Sequence, residues 1–309
     1  MPDQRRPLDA TATVAMVALC ALWGFQNVAI KLAAPDVPLL MQAAIRSGVA
    51  VALVLVWAAV RGIPLWQRDR TLWPGLVAGL AFGAEFAMIY AGLAYTTAAR
   101  MVVFLYLAPC LTALGLSLFV PGERLGAVQW SGIALAFAGV VIAFADGFAA
   151  TAHAGSTLPG DALGALAAVL WAATTVLIRA TRLAAATATK VLFYQLGVSA
   201  AMLPAASALL GEPAVIAWTP RAVASLAYQS VVVAFASYLT WFWLLTRYLG
   251  GRLAVFSFLA PLFGVVFGTT ILGEPLTGRF ALAALLVGAG IALVNVRATK
   301  PAPSGSELQ

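Results

Sequence analysis

Four side chains near the start of the chain fall on one helical stripe. Trp23, Gln26, Asn27 and Ile30 are spaced i, i+3, i+4, i+7, so a helix presents them on a single face. The layout returns as Trp171, Thr174, Thr175 and Ile178, and a cation closes each copy: Lys31 in the first, Arg179 in the second. Amides facing lipid are costly to leave unbonded, so the stripe must face protein or water. Two readings follow. Such side chains either hold helices together or line a solute path, and an aromatic ring beside short polar groups suits a solute with both apolar and polar parts.

Glu85 is the second candidate. It sits near the middle of an apolar run, where an ionisable side chain is a functional hypothesis by default. So deep, a carboxylate either takes up a proton or pairs with a cation. Arg46 and Lys31 are the candidate partners. The readings are proton coupling, a contact for a substrate amine, or a structural ion pair with Arg46. The second half has no acid at that level: Ala236 and Ser237 are nearest, and Arg46 corresponds to about Gln195. Aromatics with polar tips gather as Tyr228, Tyr238, Trp241 and Trp243, of which Trp243 also reads as an interface anchor.

Other chemistry has no foothold. The chain has no G-x-x-x-x-G-K-[ST] loop, so ATP hydrolysis is not expected. Its one histidine, His153, lies in a polar stretch without neighbouring ligands, and neither a metal nor a cofactor is expected. Cys20 and Cys110 lie inside apolar runs and read as small hydrophobes.

The elements that must position these residues follow from composition. Hydrophobic residues make up 63% of the 309, and charged residues 9%, against about 25% charged in soluble domains. Apolar runs recur that are long enough to cross a hydrocarbon core of about 30 Å. Lipid offers the backbone no partner, so each must be a helix. The expected fold is an all-α polytopic membrane protein with ten transmembrane helices. The spans are about 12–33, 37–60, 73–95, 98–120, 127–146, 161–178, 189–210, 221–246, 252–272 and 280–296.

Charge orients them. With the N-terminus inside, the inner ends hold thirteen Lys and Arg and the outer ends four, so both termini are expected to be cytoplasmic. The net charge of +7 is then a topology signal, and no basic patch points to nucleic acid.

The chain also repeats itself. Arg100-Met-Val-Val-Phe-Leu-Tyr-Leu-Ala-Pro109 returns as Arg252-Leu-Ala-Val-Phe-Ser-Phe-Leu-Ala-Pro261, and each copy leads to a Gly-Glu pair, Gly122-Glu123 and Gly273-Glu274. Duplication divides the chain into a tail (1–11), a first five-helix repeat (12–149), a second (150–298) and a disordered tail (299–309). Five is odd, so the second repeat enters the membrane from the opposite side. Inverted repeats are a common transporter plan, able to open to either side in turn. Tyr106 and Phe258 lie one turn before Pro109 and Pro261, the candidate hinges or gates, because proline frees a carbonyl and permits a kink. The two Gly-Glu carboxylates are expected at the starts of the fifth and tenth helices, where the helix dipole favours them. Gly132, Ala136 and Gly139 in the fifth span, and Gly288 and Ala292 in the tenth, are expected to let helices approach closely.

Trp23-Gly24 followed by Lys31, Arg46, and the segments Pro109…Glu123 and Pro261…Glu274 resemble the EamA family of the drug/metabolite transporter superfamily, over about residues 12–298. The resemblance implies a central cavity lined by helices one to four and six to nine, with five and ten peripheral. It also implies movement of small metabolites, amino acids among them, without ATP. One departure is Trp171-Ala172 where the first half has Trp-Gly.

The chain is therefore expected to be a secondary transporter in the cytoplasmic membrane, exporting a small organic metabolite, an amino acid, by alternating access. Its partners would be that solute, the bilayer and protons as coupling ion. The expected path residues are Trp23, Gln26, Asn27, Glu85, Tyr106, Trp171, Thr175, Tyr238 and Phe258, with Lys31, Arg46 and Glu85 as the charged set. The alternatives are a membrane enzyme acting on a lipid-linked substrate and a non-transporting membrane subunit.

Overall fold

The computed structural model of the chain describes residues 7–149, 157–213, 216–273 and 278–295. Ten helices organise these residues. They are α1 (Ala10–Ala33), α2 (Leu39–Val60), α3 (Leu72–Leu93), α4 (Ala98–Phe119), α5 (Ala127–Ala143), α6 (Leu158–Ala180), α7 (Ala188–Leu209), α8 (Pro220–Arg247), α9 (Gly250–Leu272) and α10 (Phe280–Asn295). Eight of them have 22 to 28 residues and are long and apolar enough to cross a membrane. α5 and α10 are apolar but shorter, with 17 and 16 residues. Every expected span is present, with ends shifted by three residues or fewer. His153, Glu274 and residues 150–156 of the linker lie outside the described residues.

Short polar side chains start several helices. Asp9 accepts from the Ala12 amide at 2.8 Å, and Thr219 from the Ala222 amide at 3.1 Å, meeting donors that the first turn leaves unbonded. Glycine closes α9, where Gly273 adopts a left-handed φ of 69°.

Helix packing reproduces the repeat. α3 packs on α6, and α8 on α1; α1 packs on α9, and α6 on α4; α3 packs on α7, and α8 on α2. Three further large contacts, α2 with α7, α4 with α9 and α5 with α10, exchange into themselves. Swapping α1–α5 with α6–α10 therefore leaves these principal pairings unchanged, as inverted repeats require.

The α5–α10 pair packs through glycine. A Cβ at Gly132 would stand 2.7 Å from the Gly290 carbonyl oxygen, and one at Gly139 would stand 2.8 Å from that of Ala283. The small residues of α10 at this contact are thus Ala283 and Gly290, which corrects the expected Gly288 and Ala292. Gly288 would meet nothing within 4 Å, and Ala292 is exposed. Both glycines sit on one helix, and the crossing point selects between them.

Two helices break and one loosens. α4 is interrupted between Leu105 and Ala108, and α9 between Phe256 and Leu259, each just before its proline. In α8, Tyr228–Ser237 winds as a π-helix, whereas its counterpart α3 is α-helical throughout. π-helical turns are rare and often mark functional sites.

The bundle has two ends. One holds the start of α1, the α2–α3 and α4–α5 turns and the α6–α7 turn, with Arg61, Arg124, Arg182 and Lys190; it is called the basic end below.

Candidate functional site

A cavity of about 660 Å³ enters the bundle from the end opposite the basic end. Lys31, Ala34, Leu39, Leu93 and Ala98 surround its mouth, and Ile178, Phe242 and Ala254 lie at its depth. The α1 stripe of Trp23, Gln26, Asn27 and Ile30 lines it in full, and so does the α6 stripe of Trp171, Thr174, Thr175 and Ile178. The two stripes face the same space from opposite repeats.

Rings brace this wall. The Trp23 indole N–H donates to Ser237 Oγ at 3.0 Å, and its ring meets Trp241 edge-on at 5.9 Å. On the other side, Tyr106 meets Trp171 edge-on, also at 5.9 Å. The Thr174 hydroxyl turns back to the Leu170 carbonyl at 2.8 Å.

Glu85, Tyr238, Pro109 and Pro261 line the cavity too. Phe258 does not. It is fully buried behind Tyr106, with ring centroids 6.4 Å apart, and packs towards Phe137. A ring without a polar tip belongs in the apolar interior, whereas its counterpart Tyr106 keeps a hydroxyl at the wetter wall.

Arg46 also lies off the cavity surface. Its guanidinium rests on the Phe86 ring, 4.3 Å from the centroid, and the residue is 1% exposed. No direct ion pair joins it to Glu85 among the described residues, although the two opposite charges are close enough to attract, so of the readings offered for Glu85 the direct ion pair is the one the geometry does not bear out. Phe86, the next residue along α3, occupies the face of the guanidinium instead. Lys31 lines the mouth of the same cavity.

The sequence reading passed over Phe82, Phe86, Tyr90 and Gln195 as lining residues. The three rings follow Glu85's side of α3 at spacings i, i+4 and i+8, and that periodicity was the available signal. Gln195 was visible as a polar side chain in the midst of an apolar run. Among the described residues, no three His, Cys, Asp or Glu side chains come together to hold a metal.

Towards the basic end the cavity stops at a buried polar knot. Arg179 pairs with Glu123, their side chains 1% and 2% exposed, and Arg179 also donates to the Leu245 carbonyl at 3.0 Å. Glu123 accepts from the amides of Gly250 at 2.9 Å and Gly251 at 3.2 Å. One carboxylate thus ties the α4–α5 turn to α6 and to the N-terminus of α9. Glu123 does sit at a helix start, but of α9 in the other repeat rather than of α5 as expected. The α5 start is met by Gln129, whose side-chain oxygen accepts from the Gly126 amide at 2.8 Å. A helix dipole does meet this carboxylate, but tertiary contact chose which helix supplies it.

Smaller polar clusters fasten the turns. Asp69 accepts from the Thr71 hydroxyl at 2.6 Å and from Lys190 at 2.9 Å. The Thr71 hydrogen bond first, then Lys190, hold its carboxyl down at about 2. At the mouth end, the Thr219 hydroxyl and then Arg221 hold the Asp36 carboxyl below the ordinary carboxylate range. Arg100 pairs with Asp161, joining the starts of α4 and α6.

A model of the EamA-like transporter family matches residues 11–145 and again residues 158–296. The uncharacterized transporter YvbV of Bacillus subtilis is 27% identical over 295 residues, covering 94% of each chain. A probable amino-acid metabolite efflux pump of Escherichia coli is 27% identical over 293 residues, covering 92% of this chain and 94% of its own. Its counterpart of the same name in Salmonella typhimurium is 28% identical over 285 residues, covering 89% and 91%. A protein of known crystal structure superimposes with a TM-score of 0.76 at 25% identity, over 93% of this chain and 99% of its own.

Proposed function

The chain belongs to the EamA-like transporter family, and from that premise we propose that it exports a small organic solute, an amino acid or a close metabolite, by alternating access across the cytoplasmic membrane. The observation that carries this reading is the cavity itself. It lies between the two repeats, opens at one end of the bundle, and is stopped at the other by the Glu123–Arg179 knot. A passage open at one end and sealed at the other is one half of an alternating cycle.

The excess of Lys and Arg at the basic end supports a cytoplasmic placement of that end and of the chain termini. The cavity then faces outward. Its wall of rings and short polar groups suits a solute with an apolar part and a charged head. Two relatives are named probable amino-acid metabolite efflux pumps, and a solute of that class fits the wall. Glu85 is the proposed proton-coupling group, since it is the ionisable residue deep in the cavity lining.

The test is transport by the purified protein in liposomes, with a panel of labelled amino acids and an imposed pH gradient. Flux of at least one of them, abolished by collapsing the gradient, is expected. No flux for any, with folded protein verified, would remove the amino-acid reading.

A further inference from the structure

Two polar side chains in the wall of the bundle are left short of hydrogen-bond partners. Gln195 on α7 lines the cavity and is 1% exposed, yet neither its amide oxygen nor its amide nitrogen has a hydrogen-bond partner. Arg46 on α2 is as deeply buried; none of its three guanidinium nitrogens is within full hydrogen-bond geometry of an acceptor, and Tyr238 and Glu85 are the cavity groups close enough to feel its charge. The two positions correspond between the repeats, and α2 packs directly on α7. The buried amides of two other glutamines are bonded: Gln229 donates to Gln42 at 2.9 Å, and Gln42 donates to the Val37 carbonyl at 3.0 Å. Leaving a buried polar group unmet carries its full desolvation penalty, so the exception at the cavity calls for an occupant.

The surroundings say which one. Phe86 covers a face of the Arg46 guanidinium at 4.3 Å. Stacking on a face leaves the in-plane N–H donors available, and their fork matches the two oxygens of a carboxylate. Gln195, at the corresponding position of the helix packed against α2, adds a further donor. Glu85 is the residue next to Phe86 on α3 and lines the cavity with the opposite charge. A simple anion would leave Glu85 unmet, and a simple amine would leave Arg46 unmet. A zwitterion answers both.

We propose that Gln195 and Arg46 form the carboxylate subsite of a zwitterionic solute, with Glu85 receiving its ammonium group and the rings between Trp23 and Trp171 receiving its side chain. Turning the Phe86 ring aside opens Arg46 to the cavity. The assignment rests on the amino-acid reading above.

The experiment is counterflow in liposomes with labelled L-phenylalanine as probe. Unlabelled L-phenylalanine, L-phenylalaninamide, phenethylamine and 3-phenylpropionate serve as competitors. Only the free amino acid is expected to compete well. Gln195→Met should raise the half-saturating concentration about tenfold at a nearly unchanged maximal rate, the loss expected for one hydrogen bond to a charged group. It should also narrow the gap between phenylalanine and its amide, while Arg46→Lys should keep part of the discrimination. An unfolding midpoint matching the native protein checks that each variant is folded. Native half-saturation in folded Gln195→Met, or amide competing as well as acid against the native protein, would overturn the subsite and leave transport standing. If the native protein moves no amino acid at all, the transport reading fails first and the carboxylate assignment falls with it.

Discussion

Glu123 and Arg179 form an ion pair buried at the basic end of the bundle, and the pair also holds the Leu245 carbonyl and the Gly250 and Gly251 amides. It joins α6 and the α4–α5 turn to α8 and α9, so this end cannot open unless it breaks. Removing one partner strands the other charge. Glu123→Gln is expected to destabilise the protein by about 3–5 kcal/mol, and the double variant Glu123→Gln/Arg179→Met by less than the sum of the singles. A double-mutant cycle read by unfolding in detergent would show it. Additive losses would mean that the pair carries no coupling.

Glu85→Gln keeps the size of the side chain and removes its charge. Transport is expected to become insensitive to an imposed pH gradient, while counterflow exchange persists at a raised half-saturating concentration, because the contact to the solute's ammonium group is weakened. Uptake in liposomes at varied internal pH measures this. A gradient dependence equal to the native one would leave Glu85 outside the coupling step.

Asp69 gives a prediction with a definite sign. Its folded carboxyl is held at about 2, below the ordinary 3.8, by Thr71 and Lys190. Its contribution to stability is therefore complete above about pH 4 and is lost as pH falls through about 2. Asp69→Asn should lower the unfolding midpoint at neutral pH, with a deficit that closes as pH falls towards 2. A deficit constant across that range would show that the charge is not the cause.

The α5–α10 contact separates two glycines. Gly132→Ala puts a methyl 2.7 Å from the Gly290 carbonyl, and overpacking of that kind costs about 1–3 kcal/mol. Gly288→Ala meets nothing within 4 Å and should be neutral or slightly stabilising, since alanine is the better helix former. Equal unfolding midpoints for the two variants would contradict the packing described above.

Tyr106 and Trp171 meet edge-on at 5.9 Å in the cavity wall. Tyr106→Ala should weaken transport of solutes with large apolar side chains about tenfold, with less effect on small ones, because the ring supplies apolar contact area. Half-saturation measured for phenylalanine against alanine tests the difference. An equal shift for both would assign Tyr106 to the architecture alone.

The sequence by itself determined the spans, the repeat and the face that each stripe presents. Lipid leaves the backbone no partner, so long apolar runs had to be helices, and helical period fixed Trp23, Gln26, Asn27 and Ile30 on one side. What only the tertiary structure decided is which side chains meet across helices. Phe258 turned away into the interior while Tyr106 stayed at the wall. Glu123 reached the N-terminus of α9 rather than that of α5. Gly290 rather than Gly288 took the crossing point, and Arg46 settled on Phe86 rather than on Glu85. Each of these depends on where two helices cross and how far one is rotated about its axis. Those quantities come from the packing of all ten together, and no local spacing of residues encodes them.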